Sequence, residues 1–231
     1  MKSEELRIKN CDMGEYKVSE KIAALDYKKE YKDLYLPKDK PVVIDVPEMI
    51  FVAVEGKGSP NDPGGDYKKA LELLYCIQYT IKMSKKGNPP DGYFDYVVPP
   101  LEGLWWLNNN ESSSLSNKSE YCWISLIRLP EFVDQKVFIW ACGEAQKKKG
   151  IEIKNAKLIK IREGLCVQCM HLGAYDDEPE TLKKIDDYIA GNNLKKDLSE
   201  KRRHHEIYLS DPGKTDVSKM RTVLRIPVRK K

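Results

Sequence analysis

The sequence predicts an α+β fold: an antiparallel sheet with helices on one face and a ligand cleft on the other. Three observations carry this. Short β-rich apolar runs and amphipathic helical stretches follow one another in the order β-α-β-β. That order occurs twice, with one further helix between, which reads as tandem βαββ modules related by a pseudo-twofold axis. The hydrophobic fraction, 41% of 231 residues, suffices for a packed core. The expected organisation is an N-terminal extension over 1–44 and one domain over 45–231. Within the domain, repeat one covers about 45–130, a spacer helix 131–150, and repeat two about 157–231.

In chain order, Tyr27, Tyr31 and Tyr35 recur at helical spacing and suggest a short docking helix that Pro37 and Pro41 end. Met49 to Val54 is an apolar strand closed by Gly56-Lys57-Gly58, and Ser59 to Gly65 is a turn-rich loop. A helix over about 66–86 follows, with Ala70, Leu71, Leu74, Ile77 and Ile81 on one side and Gly87 as its stop. Strands are expected at Gly92 to Val98 and Tyr121 to Leu129, joined by a long connection that holds Trp105-Trp106 and a polar stretch from Asn108 to Ser119. Pro130 opens the spacer helix, whose Val133, Val137 and Trp140 face the core. The second repeat begins with a strand region over 158–172, interrupted at Glu163-Gly164. Asp176-Asp177-Glu178-Pro179 starts its helix, with acids at the positive end of the dipole and proline in the first turn. Leu182, Ile185 and Ile189 form that helix's buried stripe, and His204 to Ser210 and Thr222 to Val228 are the closing strands.

Composition narrows the function classes. The 40 basic and 36 acidic residues are interspersed, which is the pattern of a solvated surface rather than a nucleic-acid-binding stripe. No apolar run approaches the ~20 residues of a membrane-spanning helix, and no apolar stretch follows the first lysine as in a signal peptide. A cytoplasmic location is expected. Of six cysteines, only Cys166 and Cys169, with His171, have ligand-like spacing, and strand alternation splits them between two faces. No metal and no cofactor is expected; Gly56-Lys57-Gly58 lacks the spacing of a phosphate-binding loop.

Alternation along His204 to Ser210 puts Ile207 and Leu209 toward the helices and leaves His204, Glu206, Tyr208 and Ser210 on the other face. Glu206 is then an acid flanked by aromatic and imidazole groups on an enclosed surface. The alternative is a structural acid paired with Arg225 on the adjoining strand.

Several segments resemble one family. His171-Leu-Gly-Ala-Tyr175, Glu206-Ile-Tyr-Leu-Ser-Asp-Pro212 and Thr222-Val-Leu-Arg-Ile-Pro-Val228 are similar to the second repeat of GyrI-like small-molecule-binding domains. Gly56 to Asn61, Gly92 to Tyr96 and Pro100 to Trp105 are similar to the first repeat of the stand-alone members. The resemblance implies two βαββ modules that clasp a lipophilic, aromatic small molecule, with a buried glutamate matching Glu206. It also implies a closer likeness to the members that hydrolyse the cyclopropane of duocarmycin- and yatakemycin-type alkylators than to the shorter gyrase inhibitors. In that reading Glu206 is the general base. Tyr208, Tyr175 or His171 stabilises the developing oxyanion. Tyr93, Phe94, Tyr96, Trp105, Trp106, Tyr121 and Trp123 supply aromatic walls, although Trp105 and Trp106 cannot both face the cleft on an extended strand. A pocket that only binds or senses a drug, or a gyrase-interacting protein, are the other readings. His171 and the tyrosines have purely structural alternatives as turn and strand-end ties.

Overall fold

The computed structural model describes residues 23–107, 120–150 and 153–231, so the polar stretch 108–119 and the first 22 residues lie outside it. Two short helices open the described chain, α1 (Tyr27–Glu30) and α2 (Lys32–Tyr35), followed by the long strand β1 (Val42–Lys57) and helix α3 (Asp66–Met83). Next come β2 (Leu101–Leu107), β3 (Tyr121–Arg128) and α4 (Gln135–Lys149). The remainder is β4 (Ala156–Leu172), α5 (Glu178–Gly191), β5 (Leu194–Lys196), β6 (His204–Tyr208) and β7 (Arg221–Lys230).

All of these strands pair antiparallel, in the order β4-β1-β3-β2-β6-β7-β5, and β4 also pairs with β7. The six strands from β4 round to β7 therefore close on themselves, which removes the edges that an open sheet would leave unpaired. β1 and β4 hold one register along most of their length, from Val42 opposite Gln168 to Val54 opposite Ala156.

The helices form where the apolar spacing demands them. Ala70, Leu74, Ile77 and Ile81 of α3 are buried, and Ile185 and Ile189 of α5 pack on Val167, Cys169, Leu224 and Ile226 of the sheet. Asp134 caps α4 by accepting from the Val137 amide, and Gly150 ends that helix in the left-handed region with φ 64°.

Four expectations need correcting. The second strand is 101–107 rather than 92–98: Pro99 and Pro100 cannot donate to a ladder, so pairing begins after them and takes in Trp105 and Trp106. Trp140 is 38% exposed; Phe138, Ala141 and Ala145 bury the inner face of α4, one residue out of phase with the expected stripe. The strand over 156–172 is not broken at Glu163-Gly164. Gly164 takes a left-handed φ of 64° there, which shifts the alternation. As a result Glu163 points to the same face as Gln168, where both meet Arg225.

The last correction concerns the faces. Glu206 pairs across the ladder with Leu224, and Leu224 packs under α5. The face that carries His204, Glu206 and Tyr208 is therefore the helical face, not the one opposite. Alternation separates two faces but does not say which one the helices take. The opposite face is covered as well, by α1 and α2, whose Tyr27, Leu34 and Tyr35 are buried.

Candidate functional site

Strand β6 places two polar layers on opposite faces of the sheet. On the helical face, the Tyr208 hydroxyl donates to Glu206 Oε2 at 2.7 Å, and His204 Nε2 lies 3.0 Å from Oε1. The Glu206 side chain is 14% exposed. The Trp105 indole N–H donates to the Tyr208 oxygen at 2.8 Å. This contact is possible because Gly103, opposite Glu206 on β2, has no side chain: a Cβ there would stand 2.5 Å from the Trp105 nitrogen.

Rings wall this cluster. Tyr67, in the first turn of α3, lies 5.6 Å from the Trp105 ring and meets Trp123 edge-on at 5.1 Å. Tyr121 meets Trp105 edge-on at 5.9 Å, and Tyr175 meets Tyr208 edge-on at 5.8 Å. Edge-to-face pairs at these separations fix ring orientation as well as burying area. Burial and the charge of Glu206 push the Tyr67 phenol up.

A second acid lies in this cluster. Glu178, the first residue of α5, is 9% exposed, and its Oε1 has no hydrogen-bond partner in the structure. Burial, then the neighbouring charge of Glu206, then Asp176 push its carboxyl up to about 9. A helix N-terminus favours a carboxylate by only ~0.3–1 kcal/mol, too little to offset these effects. Glu178 is therefore a neutral acid at pH 7, beside Glu206. Burial, Glu178, Glu206 and Asp211 also push the Tyr175 phenol up to about 12, and burial and Glu206 push Tyr208 well above its ordinary value. The phenols keep their protons.

The expected site residues divide into those gathered here and those placed elsewhere. Glu206, Tyr208, Trp105, Tyr121, Trp123 and Tyr175 come together. Trp106 points to the other face of β2, where the Arg203 guanidinium covers its ring at 4.4 Å. Tyr93, Phe94 and Tyr96 pack on Phe132. Tyr93 donates to the Lys82 carbonyl, and the Tyr96 hydroxyl lies 3.1 Å from Gln78 Oε1. They serve the C-terminal end of α3, while Tyr67 sits at its start, about 22 Å away at 1.5 Å per residue. His171 is spent structurally: Nε2–H donates to the Ala174 carbonyl at 2.8 Å, which leaves Nδ1 to accept from Thr181 at 2.9 Å. Arg225 pairs with Glu163 at 2.7 Å rather than with Glu206. Tyr67, Glu178 and Ser125 were not expected at the site. Glu178 stood in plain view as a helix-start acid, and only its enclosure beside Glu206 distinguishes it from one.

Comparison with known proteins shows the family. The GyrI-like small molecule binding domain matches residues 39–229. An uncharacterized conserved protein from Listeria innocua has 46% sequence identity and a TM-score of 0.84, over 89% of this chain and 100% of its own. Two structures, each described as a hydrolase from Listeria innocua, have 44% identity and TM-scores of 0.81 and 0.82, covering 89% and 90% of this chain and 100% of their own. No curated protein matches the chain.

Proposed function

The chain belongs to the family of GyrI-like small-molecule-binding domains, and on that premise we propose that its Glu206 cluster binds a planar, lipophilic molecule and opens a strained ring in it by hydrolysis. The single observation that carries this reading is the enclosure of two acids within one aromatic cluster. Glu206 is held by Tyr208 and His204 among aromatic rings, and Glu178 beside it keeps its proton. Such a pair suits acid–base chemistry on one small substrate. The hydrolases from Listeria innocua, at 44% identity, support an enzymatic reading. The arrangement of β1-β3-β2 beside β4-β7-β6, each with its helix after the first strand, supports reading the fold as two βαββ modules related by a pseudo-twofold axis.

The substrate class is a cyclopropane conjugated to a cyclohexadienone, as in alkylating agents that attack DNA. Glu206 takes a proton from water as the water oxygen bonds to the ring methylene. The methylene–ring bond breaks, its electron pair moves into the dienone, and the carbonyl oxygen becomes a phenolate. A proton returns to that oxygen from Glu178 or through Tyr175, so the product is the substrate plus water. Removing a general base costs ~10²–10⁴-fold in rate. Glu206→Gln is therefore expected to slow ring opening by about that factor, followed by mass spectrometry of the hydrated product, while probe affinity changes little. Wild-type protein that binds such a molecule and returns it unchanged would leave a drug-binding module in place of an enzyme.

A further inference from the structure

Buried polar atoms without a hydrogen bond gather on one side of the sheet. Among the described residues seven side-chain atoms are in this position. Glu102 Oε2 and His205 Nε2 face each other at 2.9 Å, and they lie with Arg128 on the face that α1 and α2 cover. The other four, Trp123 Nε1, Ser125 Oγ, His204 Nδ1 and Glu178 Oε1, belong to the helical face around Glu206. Trp123 is 1% exposed and Ser125 is fully buried. Leaving a buried polar group unpaired is costly, so such groups are few in native proteins. Four in one cluster call for a partner.

The pairing register fixes their arrangement. Trp123, Trp105 and His204 are successive cross-strand partners on β3, β2 and β6, and Ser125, Gly103 and Glu206 form a parallel row. Trp123 and Ser125 thus stand on one side of the cluster, with His204 and Glu206 on the other, two strand spacings or about 10 Å away. The Trp105 indole lies over Gly103 between them. Tyr67, in the first turn of α3, leans on both indoles.

The chemistry of each atom says what it would take. An indole N–H only donates, and a serine hydroxyl can donate. His204 turns Nε2 to Glu206 Oε1 at 3.0 Å, and a ring that donates from Nε2 to a carboxylate keeps Nδ1 as an acceptor. Glu178 and Tyr175 serve the reacting oxygen, so the acceptor that suits Trp123 and Ser125 is a second one.

We propose that Trp123, Ser125 and His204 are specificity-determining residues that select a flat ring system with a carbonyl oxygen at one end and an N–H at the other. The carbonyl accepts from Trp123 Nε1 and Ser125 Oγ on β3. The N–H donates to His204 Nδ1 on β6, and the molecule displaces the Tyr67 ring from the Trp105 indole. This rests on the Glu206 cluster being the binding site. A lipophilic molecule without these groups leaves the buried atoms unpaired, and sites built to hydrogen-bond a ligand reject analogues that lack the bonding group.

Three bicyclic probes of similar size test this by isothermal titration calorimetry: 7-aminocoumarin, with both groups, 7-methylcoumarin, with the carbonyl alone, and 2-methylnaphthalene, with neither. A site that only stacks rings favours the naphthalene, the most apolar of the three. Wild type is expected to show the reverse order, with each hydrogen bond worth about 2- to 12-fold in affinity. Trp123→Phe and Ser125→Ala should each narrow the gap between methylcoumarin and methylnaphthalene by about that factor. His204→Gln keeps a donor for Glu206 and loses Nδ1, so it should remove the preference for the amine and leave the carbonyl preference intact. Ratios between probes cancel any general loosening of the site, and Ser125→Ala keeps the test open should Trp123→Phe fail to fold. Probes that bind in the apolar order, or ratios that persist in all three variants, overturn this inference and leave the Glu206 site standing. If no probe binds, the site itself fails, and the inference with it.

Discussion

At Gly103 the sheet comes so close to the Trp105 indole that an added Cβ would stand 2.5 Å from its nitrogen and 3.1 Å from the Tyr208 oxygen. The strand backbone cannot retreat without breaking its pairing with β3 and β6, so the indole must move. Gly103→Ala is therefore expected to break the Trp105–Tyr208 hydrogen bond and turn the ring out of the cluster. Overpacking of this kind costs ~1–3 kcal/mol. Urea unfolding should register that loss, and a red-shifted tryptophan emission should accompany it; unchanged emission and stability would mean that the indole has room the structure denies it. The same locality explains which site residues were legible. Glu206 and Tyr208 were accessible to alternation, because β6 is a regular strand, whereas Trp105 was read within a connection and alternation could not choose between it and Trp106. Tyr67 and Glu178 were not, since each sits in the first turn of a helix, where a tyrosine or an acid has an ordinary reason to be. His171 looked like a ligand contact until its two nitrogens were seen to be engaged by Ala174 and Thr181.

Strand β6 serves both faces of the sheet, and its neighbouring residues do different things. Glu206 points into the helical side, while His205 points to the other and stands between two buried acids, 3.0 Å from Glu163 and 2.9 Å from Glu102. The contact with Glu102 is an ion pair whose angle falls outside hydrogen-bond geometry. Burial opposes the charge on His205, but Glu163 and Glu102 outweigh it and hold the imidazole up to about 9. For Glu163, burial works upward and loses to His205 and Arg225, which bring the carboxyl down to about 2. The signs follow by linkage. The stabilisation from His205 is fully present below its unfolded value, ~6.5, and is lost as pH rises through about 9. That from Glu163 is present above ~4.3 and is lost as pH falls through about 2. Thermal melts should therefore show a decline in stability on the alkaline side, between about pH 6.5 and 9, that His205→Gln flattens. A His205→Gln protein with the wild-type alkaline slope would assign that slope to another group. Of the elements themselves, α3 and α5 were legible from their apolar spacing and β1, β3, β4, β6 and β7 from their β-rich runs, whereas β2 was expected too early and β5 was missed. The length of β1 and β4 was not legible, because Val42 to Val46 pair with Gly164 to Gln168 and Ala156 to Leu158 pair with Val52 to Val54, and local pattern supplies neither partner.

Closure of the sheet gives the whole molecule a second buried face, and the N-terminal segment fills it. Tyr27 and Tyr35 are each 1% exposed. The Arg128 guanidinium covers the Tyr27 ring at 4.2 Å, and Tyr27 donates to Glu131 at 2.6 Å. The backbone of α2 completes the charged layer behind β6: the Leu34 carbonyl accepts from Arg225 at 2.8 Å, and the Asp33 carbonyl accepts from Gln168 at 2.5 Å. These partners sit on β7 and β4, the two strands whose pairing closes the ring. The segment thus acts as a strap across the closure, although in the sequence it read as a docking helix ahead of the domain. A chain beginning at residue 37 would leave the donors of Arg225 and Gln168 short of acceptors in a buried layer, and would expose the apolar surface under two tyrosines. Losing one large aromatic from a core costs ~3–5 kcal/mol, and each buried donor left without an acceptor adds ~1–3 kcal/mol. The truncated chain is expected to melt well below the full chain and to unfold at lower urea. The deficit should be smaller in Tyr35→Phe, which keeps the ring and gives up only the long 3.4 Å bond to Glu102. A truncated chain as stable as the full one would show that the ring closes without the strap. Because the strap and Glu206 lie on opposite faces, any truncated protein that remains folded at low temperature should still bind a planar aromatic probe, read by tryptophan quenching, so that stability and binding separate in one variant.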